Sequence, residues 1–118
     1  MSTRRFTTTD GYVVVDLDDA PAALGILRSA PKVLIDGSTW LARSQTYQFA
    51  AFGRRLSGAS GAVNAPADAK DEAIGAAVAE LGDDAWSAVH LIAGRGVTAA
   101  ALEPRRARDP RPAMRWTA

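Results

Sequence analysis

The sequence predicts a single α/β domain in which two main helices cover a small mixed sheet, giving two layers, with an arginine- and proline-rich tail behind it. The length of 118 residues suits one hydrophobic core rather than two. Segments rich in β-branched residues alternate with segments of helical periodicity. The stretch 105–118 holds five arginines and offers little to bury. We therefore place the domain at 1–104 and a tail or linker at 105–118.

Four segments are predicted to be strands. The run Y-V-V-V-D-L at 12–17 and the run W-S-A-V-H-L-I-A at 86–93 carry the β-branched and apolar residues that suit a buried pleated surface. A short strand is predicted at 32–37, ended by a turn, and another around 62–64, at the end of a loop that covers 54–66.

The first predicted helix, 22–29, follows a carboxylate at Asp19 and a proline at Pro21, both typical of helix starts. A short helix is predicted at 99–103 behind a cap at Thr98. In the helix predicted at 22–29, Leu24, Ile26 and Leu27 supply the apolar contacts.

The two main helices have clearer patterns. Residues 39–52 follow a cap at Ser38 and end at Gly53, which suits a left-handed C-terminal cap. Residues 68–81 place acidic groups in the first turn and end at Gly82.

Composition excludes several classes of site. The net charge of +1 gives no field that would attract nucleic acid or an anionic membrane. The chain has no cysteine and one histidine, His90, so disulfides, thiolate catalysis and histidine-rich metal sites are excluded. We interpret His90 as a core or edge residue of its strand. No apolar run is long enough to cross a bilayer and no leader pattern opens the chain, so we expect a cytoplasmic protein.

Two further patterns have alternative interpretations. The run Asp16-x-Asp18-Asp19 offers oxygen ligands for a hard cation, but it also fits a solvated strand end with a helix cap, and we predict no metal. The aromatic residues of helix 39–52 fit a ligand platform, a core or a subunit interface; they are Trp40, Tyr47, Phe49 and Phe52.

One segment carries a family resemblance. The sequence T-Y-Q-F-A-A-F-G-R-R-L-S-G-A-S-G-A-V at 46–63 resembles the pattern of glutamate, leucine, phenylalanine and valine dehydrogenases, in which T-[Y/W]-K-x-A-x-x-G runs into G-G-x-K-G-G. The resemblance implies the N-terminal domain of these enzymes, which holds the amino-acid substrate and mediates oligomerisation.

The resemblance also defines candidate site residues. The two family lysines correspond to Gln48 and Ser60, and the family aspartate of P-A-P-D-x-G-T corresponds to Arg95 or Gly96. Neither an amide nor an unactivated hydroxyl exchanges a proton as a lysine of lowered pKa does, so no catalytic residue is predicted. Adjacent arginines after the helix suit a carboxylate, or they complement the helix dipole. The substrate-binding candidates are Gln48, Gly58, Ser60, Gly61, Arg54 and Arg55.

No nucleotide-binding unit is predicted. The run G-R-G-V-T-A at 94–99 begins like a dinucleotide fingerprint but lacks its third glycine and the βαβ unit around it. We therefore expect no cofactor in this chain, and NAD(P) only where a separate nucleotide-binding Rossmann domain is present.

The first functional hypothesis is an amino-acid-dehydrogenase-like domain for oligomerisation or small-molecule binding, catalytically inactive alone. Its expected partners are further copies of the chain, a Rossmann domain and a small carboxylate. Two alternatives remain: a protein- or nucleic-acid-interaction module armed by 105–115, against which the low net charge argues, and a re-purposed enzyme with an anion pocket.

Overall fold

A five-stranded mixed sheet lies at the centre of the described part of the chain. The computed structural model describes residues 1–102. In chain order the elements are β1 (Ser2–Arg5), β2 (Gly11–Val15), β3 (Ala23–Ala30), α1 (Ile35–Ala51), β4 (Ser57–Asn64), α2 (Lys70–Leu81) and β5 (Val89–Ala93), with 3-10 turns at Asp84–Trp86 and Ala99–Leu102. The strand order is β1-β2-β4-β3-β5.

The connections explain where the helices lie. β1, β2 and β4 pair antiparallel, whereas β3 pairs parallel with both β4 and β5. The crossover through α1 moves from β3 to β4, and the crossover through α2 moves back across β3 to β5. Right-handed crossovers that travel in opposite directions place their helices on opposite faces of the sheet. The layers therefore number three, where two were predicted, although the α/β class with one mixed sheet and two main helices is confirmed.

The larger core lies between the sheet and α2. Side chains alternate along each strand, so Val13, Leu27 and Val63 point to this face together and pack with Ile74 and Leu81 of α2. The aromatic ring of Trp86 stacks on Phe6 with centroids 5.1 Å apart, and Arg4 lies 4.2 Å above the Trp86 ring.

A smaller core lies between the sheet and α1. Tyr12, Val14 and Ala62 cluster there with Ala42 of the helix. Small residues on both sides let the helix backbone come close to the strands, as Gly58 shows below.

The segment predicted as a helix at 22–29 is the strand β3, so that prediction was wrong. Eight consecutive residues of β3 pair with β4, and five of them also pair with β5, which leaves the strand hydrogen-bonded on both edges. A Cβ at Gly25 would lie 1.7 Å from the carbonyl oxygen of Ala59, so the neighbouring strand leaves no room for a side chain. Pairing on both edges outweighs the local start signals of Asp19 and Pro21.

The strand predicted at 32–37 was also wrong, because α1 already begins at Ile35. Ser38 consequently lies inside the first turns of the helix, fully buried, and is not its cap. At the other end Gly53 has a φ of 73° and closes the helix, as the pattern predicted.

The loop predicted over 54–66 is, from Ser57 to Asn64, the strand β4. This strand lies between β2 and β3 with a helix on each face, so seven of its eight residues are buried. Small residues there serve close packing between layers rather than loop flexibility.

Other boundaries agree with the sequence more closely. α2 runs to Leu81 and ends at Gly82. The strand predicted at 12–17 is observed at Gly11–Val15, and the strand predicted at 86–93 is observed at Val89–Ala93. The predicted short helix is the 3-10 turn Ala99–Leu102, whose Ala101 N–H donates to Thr98 Oγ1 at 3.4 Å. The strand β1 was not predicted. The domain boundary at 104 and the tail 105–118 lie outside the described residues.

Candidate functional site

The predicted site residues of the glycine-containing segment lie within β4. Gly58 pairs with Leu24, and Ser60 pairs with Val14 and Ile26. Alternation along the strand points Ser60 to the α1 face and Gly61 to the α2 face. These residues therefore belong to two different faces of the sheet.

Gly58 permits a close approach, and the group that approaches is α1. A Cβ at Gly58 would lie 1.7 Å from the carbonyl oxygen of Ala42 and 2.8 Å from the backbone nitrogen of Thr46. The Gly58 N–H donates to Thr46 Oγ1 at 2.7 Å, which locks strand and helix together. At Gly61 the corresponding atoms are the side-chain ends of Leu27 and Leu91, at 2.9 and 3.0 Å.

Ser60, at one family lysine position, is 1% exposed. Its hydroxyl has no hydrogen-bond partner among residues 1–102. Gln48, at the other lysine position, lies on the exposed surface of α1. Nothing in the described residues activates the serine as a nucleophile, because no base contacts it.

The two arginines do share a cavity. Arg54 and Arg55 line a space of about 300 Å³ beside the C-terminal end of α1, together with Leu17, Asp19, Ala20, Thr46, Ala50 and Leu56. We call this the Arg54–Arg55 cavity. Gln48, Gly58, Ser60 and Gly61 do not line it. The structure thus brings together two of the six candidate residues and separates the other four from them.

The acidic run after β2 is divided between two interactions. Asp16 is buried and lies 3.5 Å from Nε of Arg43. Asp18 is exposed and accepts hydrogen bonds from the Ser2 hydroxyl and the N-terminal amine, which hold its pKa below the ordinary value. Among residues 1–102 no three acidic or histidine side chains converge to hold a metal ion.

The aromatic residues of α1 and its C-terminal end differ in exposure. Phe49 is buried, whereas Trp40, Tyr47 and Phe52 are 72%, 68% and 76% exposed. The three exposed residues are therefore not part of the core. His90, in contrast, is buried within β5 as predicted.

Sequence reasoning missed a polar network at the other end of α1. The Tyr12 hydroxyl donates to the carbonyl oxygen of Val33 at 2.9 Å and lies 3.1 Å from Ser38 Oγ. Arg28 donates to the same Ser38 oxygen at 2.8 Å. Treating 22–29 as a strand would have placed Arg28 on the face of Tyr12, since Arg28 and Tyr12 both pair with Ala62. Because 22–29 was predicted to be a helix, the shared face of Arg28 and Tyr12 was not predicted.

Comparison with solved structures shows which proteins share this fold. L-tryptophan dehydrogenase from Nostoc punctiforme matches 91% of this chain with a TM-score of 0.67 at 15% sequence identity. The hetero-hexameric glutamate dehydrogenase from Thermus thermophilus, in its leucine-bound form, matches 83% with a TM-score of 0.65 at 21% identity. The chain spans only 34% and 25% of those two chains. The expected resemblance to amino acid dehydrogenases is confirmed at the level of the fold.

No protein-family model matches the sequence, and no curated protein matches it either. Within residues 1–102, neither helix combines the length and apolarity that crossing a membrane requires.

Proposed function

We propose that this chain is a self-associating, small-molecule-binding domain with the amino acid dehydrogenase fold and no hydride-transfer activity of its own. The observation that carries the proposal is the pair of side chains at the two family lysine positions, an exposed Gln48 and a buried Ser60. An amide cannot exchange a proton near neutral pH, and a serine without a base is a poor nucleophile.

The size of the match supports the same proposal. The chain corresponds to between a quarter and a third of each dehydrogenase chain that it resembles. Hydride transfer would require a nicotinamide cofactor, and the sequence contains no dinucleotide fingerprint. NAD(P) would enter only with a nucleotide-binding domain on another chain or in another part of a longer chain.

For the ligand we propose a small monocarboxylate in the Arg54–Arg55 cavity. A guanidinium binds a carboxylate through two parallel hydrogen bonds. Asp19 lines the same cavity, so two guanidiniums and one carboxylate leave one positive charge for the ligand to neutralise. The apolar side chains of Leu17 and Leu56 would contact an aliphatic body.

Calorimetry with a panel of small carboxylates, and absorbance of reduced nicotinamide with glutamate, leucine, valine or phenylalanine as substrate, test the proposal. We expect binding of a monocarboxylate that Arg54→Gln and Arg55→Gln each weaken. Arg5→Gln, an exposed arginine on β1 outside this cavity, is the matched control and should bind as the wild type does. Nicotinamide reduction above a no-protein control, or binding that neither cavity variant alters, contradicts the proposal.

A further inference from the structure

A second cavity lies at the opposite end of α1, where β3 ends. It has a volume of about 460 Å³ and is lined by Arg28, Ser29, Ala30, Lys32, Val33, Leu34, Gly37 and Arg95. We call it the Arg28–Lys32–Arg95 cavity. It shares no residue with the Arg54–Arg55 cavity. Its volume is in the range typical of small-molecule sites.

The charge of this cavity is one-sided. Three of its lining residues are cationic and none is acidic. Within residues 1–102 none of the three cations forms an ion pair. The nearest acidic residue along the chain, Asp36, lines a neighbouring cavity with Arg5 and Lys32 and is exposed there. Clustered cations of one sign repel one another, so the site is stabilised by an anion.

Arg28 is the cation that β3 contributes to the cavity. It pairs with Ala62, as Tyr12 does, so its side chain points to the α1 face of the sheet, where it donates to Ser38 Oγ. The next residue, Ser29, pairs with Val63, and its side chain points to the opposite face. The positive charge from β3 therefore comes from Arg28 on the α1 side.

The N-terminus of α1 adds backbone donors. Leu34 at the N-cap supplies no side-chain hydrogen bond, and the first helical bond that involves it is from Ser38 N–H to Leu34 oxygen. The N–H groups of the first turn, up to Gly37, therefore have no partner within the helix. Gly37 lines the cavity, and a Cβ there would meet nothing within 4 Å. A helix N-terminus favours an anion such as phosphate.

The walls of the cavity are held in place by contacts already formed. Arg28 is fixed through Ser38 and Tyr12, and the Val33 N–H donates to Asn64 Oδ1 at 2.7 Å. On the other side the Ser29 N–H donates to the carbonyl oxygen of Arg95 at 2.9 Å. Arg28 and the backbone walls of the cavity are therefore held in place before a ligand binds, which lowers the cost of binding.

We propose that the Arg28–Lys32–Arg95 cavity binds a phosphate group, either as free phosphate or on a small organic molecule. A phosphate oxyanion carries close to two charges and accepts hydrogen bonds in several directions, which matches three cations and a helix N-terminus. A single planar carboxylate would leave most of these donors unused. This site goes beyond the proposed function, because it is a separate cavity and does not depend on carboxylate binding at Arg54 and Arg55.

The test is calorimetry on the full chain with inorganic phosphate, with glycerol 3-phosphate and with succinate, all at the same ionic strength. We expect both phosphate compounds to bind more tightly than succinate, and the tighter of the two identifies the source of the phosphate group. Arg95→Gln and Lys32→Gln alter exposed side chains and should each weaken binding on the order of tenfold.

Lys70→Gln, at the start of α2 and outside both cavities, is the matched control and should leave phosphate binding unchanged. Circular dichroism of each variant verifies that the fold is retained. The proposal is overturned if neither phosphate compound binds at millimolar concentration, if succinate binds as tightly and Arg95→Gln weakens that binding equally, or if Lys70→Gln weakens phosphate binding as much as Arg95→Gln does.

Discussion

At the scale of single residues, the glycine at position 58 fits both a substrate-binding role and a packing role, because each requires a close backbone approach. The resemblance implies a glycine that lets backbone approach a substrate, and the structure shows a glycine that lets β4 approach α1. Both need a residue without a side chain. The difference lies in the surroundings, because the space at Gly58 is filled by backbone atoms of Ala42 and Thr46, which cannot move aside as side-chain ends do.

We therefore expect Gly58→Ala to lower the free energy of unfolding by at least about 2 kcal/mol, as overpacking does in a tight core. Gly75→Ala is the matched control, because Gly75 lies in α2 with nothing within 4 Å of its would-be Cβ. That change should raise the free energy of unfolding by about 0.5–1 kcal/mol. Urea denaturation measures both.

Ser60→Ala, measured in the same urea denaturation, tests whether the buried hydroxyl of β4 contributes to stability. It removes a buried hydroxyl that has no partner among residues 1–102, so its effect should stay within about 1 kcal/mol. Stability of Gly58→Ala equal to that of the wild type would contradict the packing explanation.

At the scale of elements, local signals predicted α2 and the end of α1 but not β3 or β4. Gly82 and Gly53 end their helices as the sequence indicates, since a C-terminal cap depends on neighbouring residues only. The segment 22–29 becomes a strand through pairing with residues more than thirty positions away, in 57–64 and 89–93. No local pattern contains that information.

The candidate site residues also divide into those that local sequence signals locate and those that long-range pairing brings together. The pair Arg54 and Arg55 lies next to a helix end that the sequence located, and it lines a cavity. Arg95 joins Arg28 and Lys32 only through the parallel pairing of β3 with β5, so sequence reasoning could not assemble the three cations.

Glu80 joins two elements, the end of α2 and the turn between β1 and β2. Its carboxylate accepts hydrogen bonds from the N–H and hydroxyl groups of Thr7 and Thr8, at 2.8 to 3.1 Å. Burial opposes ionisation, but these bonds outweigh it and hold the pKa of Glu80 below its ordinary value of 4.5. The ionised form is thus the stabilising one.

We expect Glu80→Gln to lower the free energy of unfolding by about 1–3 kcal/mol near pH 7. A carboxylate with a depressed pKa stabilises the fold fully above its unfolded value, and this stabilisation is lost as the pH falls through the folded value. The difference between wild type and variant should therefore shrink below about pH 4.5. Denaturation midpoints at several pH values measure it.

Glu72→Gln is the control, since Glu72 is exposed in the first turn of α2 and should cost less than about 1 kcal/mol. The proposed role of the hydrogen bonds to Thr7 and Thr8 is contradicted if Glu80→Gln is as stable as the wild type near neutral pH. It is also contradicted if the difference in free energy of unfolding between them grows in acid.

At the scale of the whole molecule, α1 has two unlike faces. One packs on the sheet through Ala42. The other exposes Trp40 and Tyr47, which are seven residues apart and so lie on one stripe of the helix, with Phe52 beyond its end. Aromatic side chains left in water in this number are typical of an association surface. A second copy of the chain is the occupant that we propose, because the domain is otherwise balanced in charge and the same stripe on two copies is self-complementary.

We expect the full chain to sediment as a dimer or larger species at about tens of micromolar, an order of magnitude suited to a modest interface. Trp40→Glu combined with Tyr47→Glu should shift it to the monomer without loss of circular dichroism, because both side chains are exposed and the charges would be buried in the interface. Ala79→Glu, an exposed position on α2 at the opposite face of the sheet, adds the same charge elsewhere and should leave association unchanged. If the wild type is a monomer at every concentration, or if Ala79→Glu dissociates it as readily, the aromatic stripe of α1 is not the interface.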